Sequence, residues 1–130
     1  MARGERINPP GVHTPQANYS HVTRVGDTLY ISGQLALDPD GTLVGEGDAE
    51  AQAEQCYRNV KTIVEHCGGT MDDIVKITQY ITDLAYRPLV AGPRDRYLGS
   101  PGPASTLVVI KGLAIPACLV EIEAIAVLQG

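Results

Sequence analysis

Between Asp48 and Cys67 the apolar side chains Ala53, Cys56, Tyr57, Val60, Ile63, Val64 and Cys67 recur at spacings of three and four. That spacing places them on one stripe of an α-helix and predicts a helix with a single core-facing side. Gly68-Gly69 supplies the left-handed stop that ends it. A different period governs Ile74 to Thr82, where Val75, Ile77 and Ile81 alternate with Lys76, Thr78 and Tyr80. A period of two is a strand with one buried face.

The remaining elements follow from shorter signals. Gly26-Asp27 separates two strand-like runs within Ser20 to Gln34, and Thr28-Leu29-Tyr30-Ile31 suits a pleated surface, so this stretch predicts a hairpin. Pro88 opens a second, shorter helix reaching about Leu98, and Gly99-Ser100-Pro101-Gly102-Pro103 closes it. Thr106 to Ile110 and Leu119 to Leu128 predict two closing strands. The order strand, strand, helix, strand, helix, strand, strand favours an α+β fold with two helices on one face of a single sheet.

The last strand says something about the other face. Val120, Ile122, Ala124 and Ala126 point one way, whereas Glu121, Glu123 and Ile125 point the other. Leu107-Val108-Val109-Ile110 is apolar on both sides, which an open sheet face disfavours at about 25 cal/mol per Å² of exposed apolar area. A second subunit covering that face, in a symmetric oligomer, is therefore expected.

Composition narrows the function classes. At 130 residues and 44% hydrophobic the chain suits one domain, read as residues 18–130, with the Pro- and Gly-rich residues 1–17 forming a partly ordered arm. The net charge of -5 opposes attraction to nucleic-acid phosphates and points to a small molecule or another protein as partner. Neither a membrane-spanning run nor the apolar segment of a signal peptide is present, so a cytoplasmic protein without membrane attachment is expected. Cys56, Cys67 and Cys118 lack metal-ligand or disulfide spacing and read as small core hydrophobes.

Several segments in register resemble a known family. Tyr19-Ser20, Ile31-Ser32-Gly33-Gln34-Leu35-Ala36-Leu37-Asp38-Pro39, Asn59-Val60-Lys61-Thr62-Ile63-Val64-Glu65, Asp72-Asp73-Ile74-Val75-Lys76 and Val120-Glu121-Ile122-Glu123-Ala124-Ile125-Ala126-Val127 are similar to the Rid superfamily, of the RidA-like or YjgF type. The resemblance spans about Asn18 to Val127. It implies a chorismate-mutase-like fold, a single mixed sheet carrying two helices on one face, and a homotrimer whose sheets line a central barrel. It also implies inter-subunit clefts in which enamines and imines are hydrolysed to ammonia and a 2-keto acid, with no metal or organic cofactor.

Residue by residue, the resemblance assigns Tyr19, Ser32 and Gly33 to the cleft lining and Glu121 to orienting the attacking water. It also exposes a departure. Deaminating members carry an arginine after the Pro-Ala of the second-last strand, whose fork binds the substrate carboxylate. Here Pro103-Ala104 is followed by Ser105, or by Thr106 if the gap is placed differently, and neither hydroxyl neutralises a carboxylate. Leu107 or Val108 replaces the usual cysteine, and Ala91 falls near the usual helix asparagine.

Arg87 and Arg94, seven residues apart, share one side of the second helix and leave Arg94 as a candidate substitute clamp; Arg96 lies on another side. Each candidate has a plainer alternative. Ser32-Gly33 also fits a strand bulge, Tyr19 a rim aromatic, and Glu121 an ion pair with Lys76 or Arg24, a structural part that suits Glu123 better. His66 suits the end of the long helix, His21 follows Tyr19 closely enough to face the cleft, and His13 completes the set of neutral-pH acid–base candidates. Two functions stand: a hydrolase or deaminase using Glu121 with Ser105 or Thr106, and a non-catalytic trimer that binds a metabolite or partner protein.

Overall fold

The chain is described from residue 4 to residue 130 in a computed structural model. Its strands are β1 (Glu5–Ile7), β2 (Val22–Val25), β3 (Thr28–Gln34), β4 (Ile74–Ile81), β5 (Ala104–Val109) and β6 (Val120–Val127). The helices are α1 (Ala49–His66) and α2 (Arg87–Leu98). All six strands join one sheet in the order β1-β2-β3-β6-β4-β5, antiparallel except for the parallel pair β4 and β5 that α2 connects.

Local chemistry accounts for the element ends. Gly26, at φ +60°, makes the two-residue turn that sets Val25 opposite Thr28. Asp48 caps α1 by accepting a hydrogen bond from the Ala51 amide at 3.0 Å, and Gly68, at φ +93°, ends the helix as its spacing predicts. The stripe of α1 buries Ala53, Cys56, Tyr57, Val60, Ile63 and Val64 against Leu29, Ile31, Ile77, Ile81, Ile122 and Ala124 of the sheet. Cys118 is buried as well, while Cys67 is only partly covered.

Three features depart from the sequence reading. Val75, expected on the buried side of β4, is 46% exposed, because a register shift between Ile74 and Lys76 turns Ile74 inward in its place. β5 begins at Ala104 rather than Thr106, since parallel pairing with β4 starts at Lys76 opposite Ala104. Within residues 4–17, read as an arm, Glu5–Ile7 pairs with β2, and Val12 and His13 are buried.

Buried amides on α1 hold the two loops that lead into the site. Asn59 donates to the carbonyls of Leu35 at 3.1 Å and Leu37 at 3.0 Å, just beyond β3. Gln52 donates to Gly45 and Ala117 and accepts from the Leu119 amide at 2.7 Å, just before β6. Tyr57 donates to Gln79 at 2.8 Å across the helix–sheet interface. Asn59 and Gln52 thus add bonds to buried backbone groups in both loops, and Tyr57 and Gln79 satisfy each other.

Replacing Asn59 with Ala removes its bonds to both carbonyls, leaving Leu35 only the Leu37 amide and Leu37 only the longer Gln55 contact at 3.4 Å, and strips Gln55 of its Asn59 partner. Asn59→Ala is expected to destabilise the fold by about 2–3 kcal/mol, read from the shift of the urea midpoint at unchanged slope.

Candidate functional site

Glu121 lies on the sheet face turned away from the helices, opposite Tyr80 of β4. Strands β3 and β6 fall out of register between Ile31 and Gln34, and this bulge brings Gly33 under the Glu121 side chain. A Cβ at Gly33 would stand 2.6 Å from Glu121 Cδ and 2.7 Å from Oε2, so the carboxyl occupies the space that only glycine leaves. Among the described residues Glu121 has no hydrogen-bond or ion-pair partner. Burial, and secondarily the Glu123 charge, raise its pKa above the ordinary carboxylate value.

The neighbouring carboxylate behaves differently. Glu123 accepts the Tyr80 hydroxyl at 2.7 Å, and that bond raises the tyrosine pKa. Neither glutamate pairs with the cations the sequence suggested. Lys76 donates to the Thr106 hydroxyl at 2.5 Å, and Arg24 turns to the Gly26 carbonyl and Asp27. Glu123 therefore has the structural part expected of it, with a tyrosine as its partner.

Beside this pair, Tyr19 and Ser32 line a hollow of about 590 Å³ together with Arg6, Asn18, Ser20 and Thr23. The Ser32 hydroxyl donates to the Ser20 carbonyl at 2.6 Å, so it shapes the wall. Tyr19 is 43% exposed and meets the His21 ring edge-on at a centroid distance of 6.1 Å. His21 itself is buried. Gln34 donates to its Nδ1 at 3.0 Å while its Nε2 donates to the His13 carbonyl at 2.6 Å. With both ring nitrogens engaged, His21 is a support beneath Tyr19 and not a group facing the cleft. His13 is buried, and burial first, then His21, lower its pKa; His66 is exposed in the last turn of α1.

The other candidates gather at the opposite edge of the sheet. Ser105 lies beside Ile77 on the helix-facing side of β5, whereas Thr106 lies beside Thr78 on the far side. The two positions the sequence reading offered for a carboxylate-binding arginine thus point to opposite faces. Ser105 and Arg94 line two adjoining hollows of about 470 and 570 Å³, and Arg87 enters the larger one with Ala91 and Leu107. Arg94 bonds its neighbour Asp95 at 2.9 Å, and Arg96 reaches Glu54 of α1 on the other side, as the helical spacing predicts.

One chain therefore brings Tyr19, Ser32, Gly33 and Glu121 to one region, and Ser105, Arg87 and Arg94 to another. Strand β4 and the thickness of the sheet separate them. Arg6, Thr23 and Gln34 escaped the sequence reading. A three-residue strand is too short to show a period, and Gln34 matters only through a histidine distant in sequence. Among the described residues no cluster of three or more His, Cys, Asp or Glu side chains has a geometry for holding a metal, and no helix is long and apolar enough to cross a membrane.

Comparison with known proteins gives a consistent picture. The profile of the Endoribonuclease L-PSP family matches residues 11–128. A RutC family protein of Pyrococcus abyssi is 32% identical over 86% of this chain and 87% of its own length. The crystal structure of RidA from the Antarctic bacterium Psychrobacter sp. superposes with a TM-score of 0.88 at 34% identity, covering 95% of this chain and 99% of that one. The Escherichia coli YjgF structure matches with a TM-score of 0.88 at 30% identity, over 96% and 99% of the two chains.

Two outcomes follow from the contact between Glu121 and Gly33. Gly33→Ala is expected to destabilise the protein by about 1–3 kcal/mol, and to cost far less in a Glu121→Ala background, a coupling that a double-mutant cycle measures. The raised pKa has a defined sign. Between the ordinary carboxylate value and the higher folded value the native state holds more protons than the unfolded one, so stability falls as pH rises through that window. Urea unfolding across it is expected to show the parent losing stability relative to Glu121→Gln.

Proposed function

The chain belongs to the Endoribonuclease L-PSP family, and from that premise we propose that it is a RidA-like hydrolase of imines, enamines or related metabolites. The observation that carries this reading is the half-buried, unpartnered Glu121 carboxyl seated on Gly33. A carboxylate with a raised pKa exchanges protons near neutral pH more readily than an ordinary one. Glu121 takes a proton from water as the water oxygen bonds to the imine carbon. It returns that proton to nitrogen, giving a carbinolamine, and then carries the carbinolamine hydroxyl proton to the same nitrogen as the C–N bond breaks, so ammonia and a carbonyl leave and the carboxylate is regenerated. No cofactor enters this scheme.

In the same reading Tyr19, Ser32 and Gly33 line the cleft, Ser105 or Thr106 hydrogen-bonds the substrate, and Arg94 is the substitute clamp. The separation of the two residue groups within one chain supports a cleft shared between subunits. Exposed apolar side chains on the face away from the helices, among them Tyr30 at 51% and Val127 at 43%, support a homotrimer closed around that face. Ser105 in place of the usual arginine argues against a typical 2-aminoacrylate deaminase. An RNA substrate, as the family's description suggests, is opposed by the net charge of -5.

The same Ser105 favours a second reading, a non-catalytic trimer that binds a metabolite or a partner protein. Ammonia release from freshly generated 2-aminoacrylate and 2-iminobutyrate separates the two. Under the hydrolase reading the parent is active, and Glu121→Gln lowers the rate about 100-fold or more. An inactive parent alongside an active Ser105→Arg variant overturns it in favour of binding. Light scattering on the eluted peak is expected to give three times the 13.8 kDa chain mass, and a stable monomer contradicts the shared cleft.

A further inference from the structure

The hollow beside Tyr19 holds a cation that no family frame assigns. Arg6 of β1 lies opposite Thr23 of β2, which lies opposite Tyr30 of β3, so all three share the sheet face that carries Glu121. None of the six lining residues is acidic. Among the described residues the Arg6, Asn18, Tyr19 and Thr23 side chains make neither a hydrogen bond nor an ion pair. Of the other cations, Lys76 is engaged with Thr106, Arg24 with Gly26 and Asp27, and Arg94 with Asp95, while Arg87 lies against the opposite face of the sheet with Ser105 and Leu107.

We propose that Arg6, with Tyr19 and Thr23, is an anion-binding subsite separate from the Arg94 position, and that it reads a carboxylate lying several bonds from the reacting centre. This rests on the hydrolase reading only for the direction of that centre, toward Glu121. The spacing follows from strand geometry. Arg6 shares a row with Thr23, Tyr30 and Ile125, three strand spacings or roughly 14 Å from β1 to β6. Glu121 lies four residues further along β6, roughly 13 Å. Arginine reaches inward over part of this span, but a three-carbon enamine does not bridge the rest. A longer ω-carboxylate does. The guanidinium fork binds it through two N–H groups, and the Tyr19 and Thr23 hydroxyls donate from the sides.

Calorimetric titration of the full chain tests this without turnover. The probes are 5-oxohexanoate, its methyl ester and 2-oxobutyrate. The acid is expected to bind at least tenfold more tightly than the ester or 2-oxobutyrate. Arg6→Gln is expected to remove that preference, Arg6→Lys to keep part of it, and Arg96→Gln, which touches only the Glu54 pair on α1, to leave affinity within twofold. Thr23→Val, which leaves the cation in place, weakens the acid severalfold. Equal binding of acid and ester, an Arg6→Gln variant that binds like the parent, or no binding of the acid by the parent overturns the subsite. Any of these leaves the ammonia-release result standing, and an inactive protein that still binds the acid through Arg6 leaves the subsite standing.

Discussion

The pairing of β3 with β6 across their bulge is the constraint on which the rest depends. These two strands lie at the middle of the sheet, and their register breaks between Ile31 and Gln34, where Gly33 receives the Glu121 side chain. A half-buried carboxylate without a partner is unfavourable by itself. It is tolerated because both strand ends are fixed from behind: Asn59 holds the backbone after β3, and Gln52 holds the backbone before β6. The same helix that closes the core thus aims the candidate catalytic group. Core packing and site geometry are one arrangement seen from its two sides.

That arrangement also explains the neighbours of Glu121. Gln34, the first residue back in register, spends its amide on His21 and on the Ser32 carbonyl. His21 in turn supports Tyr19 and is tied to the N-terminal segment through the His13 carbonyl. A chain of buried polar contacts therefore runs from the bulge to the rim of the hollow. Both His21 ring nitrogens and the Gln34 amide nitrogen are bonded in it, while Gln34 Oε1 and His13 Nδ1 are buried without a partner among the described residues, so the network is only partly satisfied.

Much of the fold was legible because it is periodic. The α1 stripe, the Gly26-Asp27 turn, the alternation of β6 and the stop at Gly68 were each written in side chains adjacent along the chain. What was not legible is set by pairing between distant segments. The bulge at Val75 depends on β6, the partner of Glu123 on β4, and the faces of Ser105 and Thr106 on a parallel register that one strand does not reveal. The site was legible in part for the same reason. Glu121, Ser32, Gly33 and Tyr19 were found by likeness and fell into one region. Arg6 was missed because a short edge strand carries no pattern, and His21 was misplaced because its role is decided by Gln34 and His13.

The position of Ser105 acquires a physical meaning from the two faces of the sheet. β5 is an edge strand whose Ser105 side looks toward α2, while Glu121 looks the other way from β6. A cation at Ser105 and the Glu121 carboxyl meet the same ligand only if a neighbouring copy brings the far edge of its sheet alongside. Arg6 needs no such help, because strand pairing alone sets it on the Glu121 face. A ligand-reading charge on β1 in place of one on β5 would change the length and polarity of what fits, and would leave the core, the bulge and the buried amides untouched. Fold and ligand choice are therefore separable in this chain, as they are wherever function lies in side chains grafted onto a common frame.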